Sequence, residues 1–137
     1  MQKIHKKMPY SLFLIFNHEI TPAQESDARR SLGIQRTIDL PPNLKTLWRQ
    51  IPPDLDEING YLKPVKSWLK SKASKNDYVL IQGDFGACYI MTKFAFEIGL
   101  IPIYSTTERE ATEEYKKDGT VKLVHQFKHQ AFRKYGV

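Results

Sequence analysis

One cysteine, Cys88, stands alone among 137 residues, which excludes an intrachain disulfide and any multi-cysteine metal site. No apolar run approaches the roughly 20 residues that a membrane-spanning helix needs. The longest, Tyr10 to Phe16, is also too short and too poorly flanked for a signal peptide, so no membrane partner and a cytoplasmic location are expected. Neither G-x-x-x-x-G-K-[ST] nor G-x-G-x-x-G occurs, so nucleoside triphosphate hydrolysis and dinucleotide redox chemistry lack their usual fingerprints. The four histidines are scattered with no paired carboxylate spacing, which argues against a metal site; no cofactor is expected. There is no internal repeat and no low-complexity segment.

What is present describes one small domain. Hydrophobic residues make up 41% of the chain, enough for a core, and the length is too small for two. Lys and Arg exceed Asp and Glu by 21 to 15. The excess gathers at Lys3, Lys6 and Lys7, at Lys63, Lys66, Lys70, Lys72 and Lys75, and at Lys128, Arg133 and Lys134. A polyanionic partner and plain solvated faces explain these clusters equally well. Residues 1–9, polar, basic and without period, read as an arm; residues 10–137 read as a single domain.

The segment that organises the rest is Tyr78 to Gly86. Tyr78 to Ile81 is a β-branched and aromatic run suited to a parallel strand buried on both faces. A polar, glycine-bearing turn follows it. Then Ala87, Ile90, Met91, Phe94, Ala95 and Ile98 recur at helical steps, and Gly99 stands where a left-handed cap would fall. Ser11 to Phe16 reads as the first strand. Thr21-Pro22-Ala23-Gln24 has the signature of a helix start, with Thr as N-cap, Pro at the first helical position and Gln bonding back. Leu32-Gly33 ends that helix, and Ile34 to Leu40 reads as the second strand. Leu44, Leu47, Trp48 and Ile51 form the apolar side of a short helix between proline stops. Leu55 to Leu69 continues a helical period, with Asp54 and Glu57 as a capping pair and a kink or a restart at Pro64. Leu100 to Tyr104 reads as a further strand. Glu113 to Lys117, Asp118-Gly119 and Thr120 to Phe127 read as a hairpin, within a C-terminal extension over residues 110–137. The fold expected is α/β: a Rossmann-like, mainly parallel sheet with helices on both faces and a C-terminal β-hairpin.

In such sheets ligands sit outside the carboxyl ends of the strands, where strand order reverses. Three strand ends carry polar residues: Asn17-His18, Gln82 to Gly86, and Ser105 to Arg109. If the first strand neighbours the third, they converge on one rim. Gln82 supplies an amide for a base or ribose edge, Gly83 and Gly86 let backbone come close, and Phe85 offers a ring for stacking. Asp84 can equally cap the following helix, and Phe85 can equally be core. Ser105, Thr106, Thr107 and Arg109 combine hydroxyls with a guanidinium, a set suited to phosphodiester oxygens; a helix cap beside a salt-bridged arginine is the alternative. His18 can move a proton near neutral pH. His125 and His129 fall on the hairpin and read as surface residues unless the hairpin folds over the rim. Cys88 reads as a packing residue.

Taken together, Leu-Ile-Phe-Asn-His at 14–18, Tyr-Val-Leu-Ile-Gln-Gly-Asp-Phe-Gly at 78–86 and Ile-Pro-Ile-Tyr-Ser-Thr-Thr-Glu-Arg-Glu at 101–110 resemble small stand-alone CRISPR-associated Csx proteins related to CARF domains. The likeness runs from Pro9 to Tyr135. It implies a CARF-like homodimer that binds cyclic oligoadenylate, with the four-adenylate ring of type III CRISPR complexes as leading candidate. It also implies a ring nuclease, which opens that ring and switches the antiviral signal off; the absence of an effector domain after the core fits signal removal. Cleavage would be metal-independent, by attack of a ribose 2′-hydroxyl on its neighbouring phosphate. On that reading His18, Arg109 and Asp84 are catalytic candidates. Asn17, Gln82, Gly83, Phe85, Gly86, Ser105, Thr106 and Thr107 are ligand-binding candidates. No stable long nucleic acid partner is expected. A non-catalytic sponge or sensor needs the same residues without a proton-transfer group, and a basic RNA-binding module predicts steep salt dependence instead.

Overall fold

A computed structural model describes residues 10–137, so the basic arm at residues 1–9 lies outside the described residues. The sheet has five strands: β1 (Tyr10–Ile15), β2 (Ile34–Asp39), β3 (Tyr78–Ile81), β4 (Ile101–Tyr115) and β5 (Val121–Lys134). Their order is β2-β1-β3-β4-β5. The first four pair in parallel, and β5 runs antiparallel to β4. The fold is thus the expected Rossmann-like α/β sheet with a C-terminal hairpin. Among the described residues no helix is long and apolar enough to cross a membrane.

Alternation along β1 and β3 divides the core in two. Phe13, Ile15, Val79 and Ile81 face α2 (Pro42–Arg49), α3 (Lys63–Lys72) and α4 (Phe85–Glu97), meeting Leu44, Trp48, Val65, Leu69, Met91 and Ala95. Leu12, Leu14, Phe16, Leu80 and Ile103 face the other way, against α1 (Pro22–Asp27) and the π-helical turn Ala28–Leu32. Helices therefore cover both faces, and the central strands read as unbroken apolar runs because neither side meets water.

Local sequence sets several boundaries. Thr21 accepts from Gln24 N at 3.1 Å while Gln24 Oε1 accepts from Thr21 N at 3.0 Å, the reciprocal cap that the sequence announces. Gly33, at φ 67°, ends the π turn. Asp118-Gly119 closes the hairpin, with Gly119 at φ 85° and Lys116 N donating to Thr120 O at 2.9 Å.

Two expectations need correction. Residues 51–62 are not helical and Asp54 and Glu57 cap nothing; of the two outcomes open at Pro64, a kink or a restart, the chain takes the restart, with Pro64 in the first turn of α3. The reason is that Pro fits the first helical turn, where its missing N–H has no intrahelical acceptor. The second concerns β4, which does not stop at Tyr104. It runs 15 residues to Tyr115, so Ser105 to Glu110 are strand, not a rim loop. Pairing with β5 replaces the parallel partner that β4 loses beyond Ile103. Past Thr106 the two strands form an arm whose residues are mostly exposed.

Candidate functional site

Strand order reverses between β1 and β3: the crossover after β1 leads to β2 on one side, and the chain then returns to β3 on the other. The carboxyl ends of β1 and β3 therefore flank a crevice. Gln82 holds it together. Its N–H donates to Ile15 O at 3.1 Å, its carbonyl accepts from Trp48 Nε1 at 3.0 Å, and its side-chain oxygen accepts from Ser105 N at 2.7 Å. One residue thus stitches β1, α2 and β4 to the end of β3. Gly83 follows because Trp48 leaves no room: a Cβ there would lie 2.8 Å from Trp48 Nε1. Gly86 is less constrained: a Cβ there would lie 3.5 Å from the nearest atom it meets, Asp84 Oδ2.

Beside this turn lies a cavity of about 520 Å³, lined by Gly83, Phe85, Tyr89, Thr92, Tyr104 and Tyr135 among others. Its walls are aromatic. Phe85 is 95% exposed and Tyr89 70%, so Phe85 is a free ring and not core. Tyr104 and Tyr135 pack with centroids 4.9 Å apart, and the Arg133 guanidinium lies 5.7 Å from the Tyr104 ring centre. Two polar atoms here and at the neighbouring strand end, Thr92 Oγ1 and Asn17 Oδ1, are buried without a hydrogen-bond partner. Polar atoms left this way in a native fold call for an explanation, and a missing ligand group is one.

The protonation states are set by burial and neighbours. Burial, with nearby Asp84 adding to it, pushes the Cys88 thiol up to about 11, so it stays protonated and fits the packing role expected of it. Burial likewise pushes the Tyr135 hydroxyl up to about 12, with Cys88 contributing, and that hydroxyl donates to Ile81 O at 2.5 Å. Lys45 sits at the other end of the rim with Asp39 at 2.8 Å and Glu19 at 3.1 Å. Burial pulls its pKa down, but the two carboxylates outweigh burial and leave it raised.

The structure brings Asn17, Gln82, Gly83, Phe85, Gly86 and Ser105 to one rim. It does not bring all the candidates there. Asp84 caps α4 by accepting from Ala87 N at 3.0 Å, which removes it from the catalytic candidates. His18 is exposed, its ring edge-on to Phe16 at 6.3 Å, and among the described residues its ring has no hydrogen-bond partner. Thr106 Oγ1 is engaged with Ala131 N and O across the β4–β5 ladder. Thr107 and Arg109 lie on the exposed arm. Arg109, four residues beyond Ser105, is displaced by about 13 Å at the usual strand rise, and its Nε donates to His125 Nδ1 at 3.2 Å.

Sequence reasoning missed Asp27, and it left His129 on the surface unless the hairpin folded over the rim. Ser105 Oγ lies 2.5 Å from His129 Nδ1, and His129 Nε2 lies 2.7 Å from Asp27 Oδ2. The hairpin does bring His129 in: only 7% of its side chain is exposed. Strict alternation from Phe132 would send its side chain to the opposite face. The register shift between Thr106 and Thr107 leaves Gln130 as an extra residue in β5, and this bulge returns His129 to the Ser105 face. Asp27 has a lowered pKa, chiefly through the Ser31 hydroxyl, with burial opposing and His129 assisting. A carboxyl depressed on folding stabilises fully above its ordinary value of 3.8 and loses that contribution as pH falls through the lowered one. Melting temperature should therefore fall more steeply below pH 4 in the wild type than in Asp27→Asn, as read by thermal melts across acid pH; parallel curves would remove Asp27 as the cause.

These features define an α/β protein of Rossmann-like topology, with an aromatic-walled candidate site beside the turn that ends β3. The chain belongs to the family described as Uncharacterized protein MJ1673 family, which matches residues 10–133. The protein described as Uncharacterized protein MJ1673 from Methanocaldococcus jannaschii is 53% identical over 124 residues, covering 90% of this chain and 95% of that relative. No solved structure matches the chain. Neither description names a ligand or a reaction, so the functional reading rests on the site.

Proposed function

We propose that the protein is a ring nuclease that binds and opens cyclic oligoadenylate, with the four-adenylate ring as leading candidate, and that it acts as a cytoplasmic homodimer. The observation that carries this reading is the aromatic-walled cavity of about 520 Å³ beside the turn that ends β3, next to the N-terminus of a 13-residue helix. Exposed Phe85 and Tyr89 suit adenine, because every base offers a face for stacking. Ahead of Ala87, whose amide Asp84 takes, the Phe85 and Gly86 amides at the start of α4 have no intrahelical acceptor and suit the phosphates. Opening the ring forms a bond from the 2′-oxygen to phosphorus and breaks the bond to the 5′-oxygen. The product is a linear adenylate ending in a 2′,3′-cyclic phosphate. A two-fold dimer offers the same rim twice to a ring of even symmetry.

The arm supports the dimer. Tyr115, Val121, Leu123 and Phe127 are each more than half exposed on it, an apolar surface that a second copy would cover. An arm reaching across would also carry Arg109 to the partner's ring, which the 13 Å offset denies it within one chain. Arg109→Ala is expected to slow single-turnover cleavage roughly 100-fold, the order of one lost donor to developing charge. Its melting temperature should stay unchanged, because the side chain is exposed. Wild-type turnover would remove Arg109 from the site.

A non-catalytic binder is the second reading, favoured by Asp84 acting as a cap and by the lack of any carboxylate partner for His18. Incubating purified protein with cyclic tetra-adenylate, with and without chelator, and chromatographing the products decides. Linear product formed in chelator supports the nuclease, intact bound ring supports the binder, and neither binding nor cleavage overturns both.

A further inference from the structure

His18 is exposed and unsupported, yet the same rim holds a serine backed by two buried groups. Asp27 comes from the end of α1, Ser105 from β4 and His129 from β5, so the contact joins residues 102 apart in sequence. Only 7% of the His129 side chain and 11% of the Asp27 side chain are exposed. Asp27 Oδ1 accepts from Ser31 Oγ at 2.5 Å, and Arg30 NH2 lies 3.6 Å away. These contacts favour the carboxylate, and the carboxylate fixes the imidazole. Asp27 Oδ2 accepts from Nε2–H, so Nδ1 bears the lone pair and accepts the Ser105 hydroxyl proton at 2.5 Å. The Ser105 oxygen is then left with lone pairs, which meet only the Gln24 amide at 3.5 Å.

Two departures from regular structure build this arrangement. The helix widens into a π turn immediately after Asp27, and β5 bulges at Gln130 immediately after His129. π turns and bulges concentrate where side chains must be re-aimed for function. A latch holding the hairpin to α1 would need only histidine and aspartate. Of the three, only Ser105 borders the cavity, at the strand end; its hydroxyl stands on the α1 face of β4, with Ile103 and Phe132, so it meets a ring that passes over the strand ends and not one held wholly on the α4 side.

We infer that Ser105, backed by His129 and Asp27, is the proton acceptor for the ribose 2′-hydroxyl, an assignment that rests on the ring-opening proposal. The 2′-hydroxyl proton passes to Ser105 Oγ as the serine proton moves to His129 Nδ1. The 2′-oxygen bonds to phosphorus and the bond to the 5′-oxygen breaks. The leaving 5′-oxygen takes a proton from solvent, and the imidazolium returns one to solvent, so protons balance over the cycle. Asp27 stabilises the imidazolium while it lasts. Ser105 is the catalytic residue; His129 and Asp27 are positioning residues that act through it. Among the described residues the charged groups around the imidazole are Asp27 from α1 and, behind it, Arg30 from the π turn; from β4 the Ser105 hydroxyl meets it, and the Phe132 ring packs on it from β5.

The test is single-turnover cleavage of cyclic tetra-adenylate by wild type, Ser105→Ala and His129→Asn over pH 5 to 9, with binding and melting temperature measured in parallel. Ser105→Ala removes one oxygen and should fold. It is expected to bind the ring within about threefold of wild type and to cleave roughly 100-fold more slowly, the scale of general base catalysis. The rate is expected to rise with pH in the wild type and to stay flat in His129→Asn. A wild-type rate in Ser105→Ala overturns the assignment while leaving the ring nuclease standing. If wild type does not bind the ring, the ring reading fails and the relay is judged by labelling with a fluorophosphonate probe. Labelling of wild type at Ser105, lost in His129→Asn, supports an activated serine; no labelling overturns it.

Discussion

Gly83→Ala is expected to destabilise the protein by at least about 2 kcal/mol, a fall in melting temperature of roughly 8 °C or more. The added Cβ would stand 2.8 Å from Trp48 Nε1 and 3.1 Å from Trp48 Cε2, closer than such atoms approach. Neither side yields easily. Trp48 is 2% exposed within the core, and its Nε1 donates to Gln82 O at 3.0 Å, so moving the indole breaks that bond and disturbs the packing under α2. The backbone at Gly83 has φ 155°, which side chains rarely adopt. Gly86→Ala is the internal control. Its Cβ would meet Asp84 Oδ2 at 3.5 Å and Ile58 Cδ1 at 3.6 Å, ordinary contacts, and alanine favours the helix it sits in by roughly 0.5–1 kcal/mol. Thermal melts of the two variants should therefore move in opposite directions. Equal shifts would mean that Trp48 does not govern the turn.

That contrast shows what the sequence could and could not reveal. The Gln82 turn was legible because its neighbours are local: an apolar run before it, a capping aspartate within it and helical spacing after it. The same holds for Thr21 with Gln24 and for Asp118-Gly119, whose hydrogen bonds join residues four apart or fewer. The neighbouring placement of β1 and β3 was legible as a condition, since only that order brings Asn17 beside Gln82. What the sequence hid depends on distant partners. Nothing local marks why Gly83 must be glycine, because the constraint is an indole 35 residues earlier in the chain. Polar residues after Tyr104 suggested a strand end, but β5 continues the pairing and β4 runs on. His129 could be placed only conditionally, because the bulge at Gln130 that turns it toward Ser105 has no local mark, and nothing near Asp27 in sequence singles it out. The candidate site was thus half visible: the turn and its aromatic ring could be named, and the buried groups behind Ser105 could not.

Phe85 carries the second large effect, and it separates ligand binding from folding. At 95% exposed it contributes almost nothing to the core, so Phe85→Ala should melt at the wild-type temperature. Binding is another matter. A base stacked on an aromatic ring is worth about 1–3 kcal/mol. In a two-fold dimer each ring meets two copies of Phe85, so at least about 2 kcal/mol is at stake, or roughly 30-fold in dissociation constant. Calorimetric titration with cyclic tetra-adenylate reads this directly. Tyr89 is one helical turn along α4 from Phe85 and shares the cavity, so Tyr89→Ala should weaken binding in the same direction. An exposed phenylalanine at a helix start costs solubility unless something covers it at least part of the time. If Phe85→Ala binds the ring as tightly as wild type, stacking at this rim is not how the ring is held; the exposed ring would then belong to a protein contact, and the ligand would have to be sought elsewhere on the sheet.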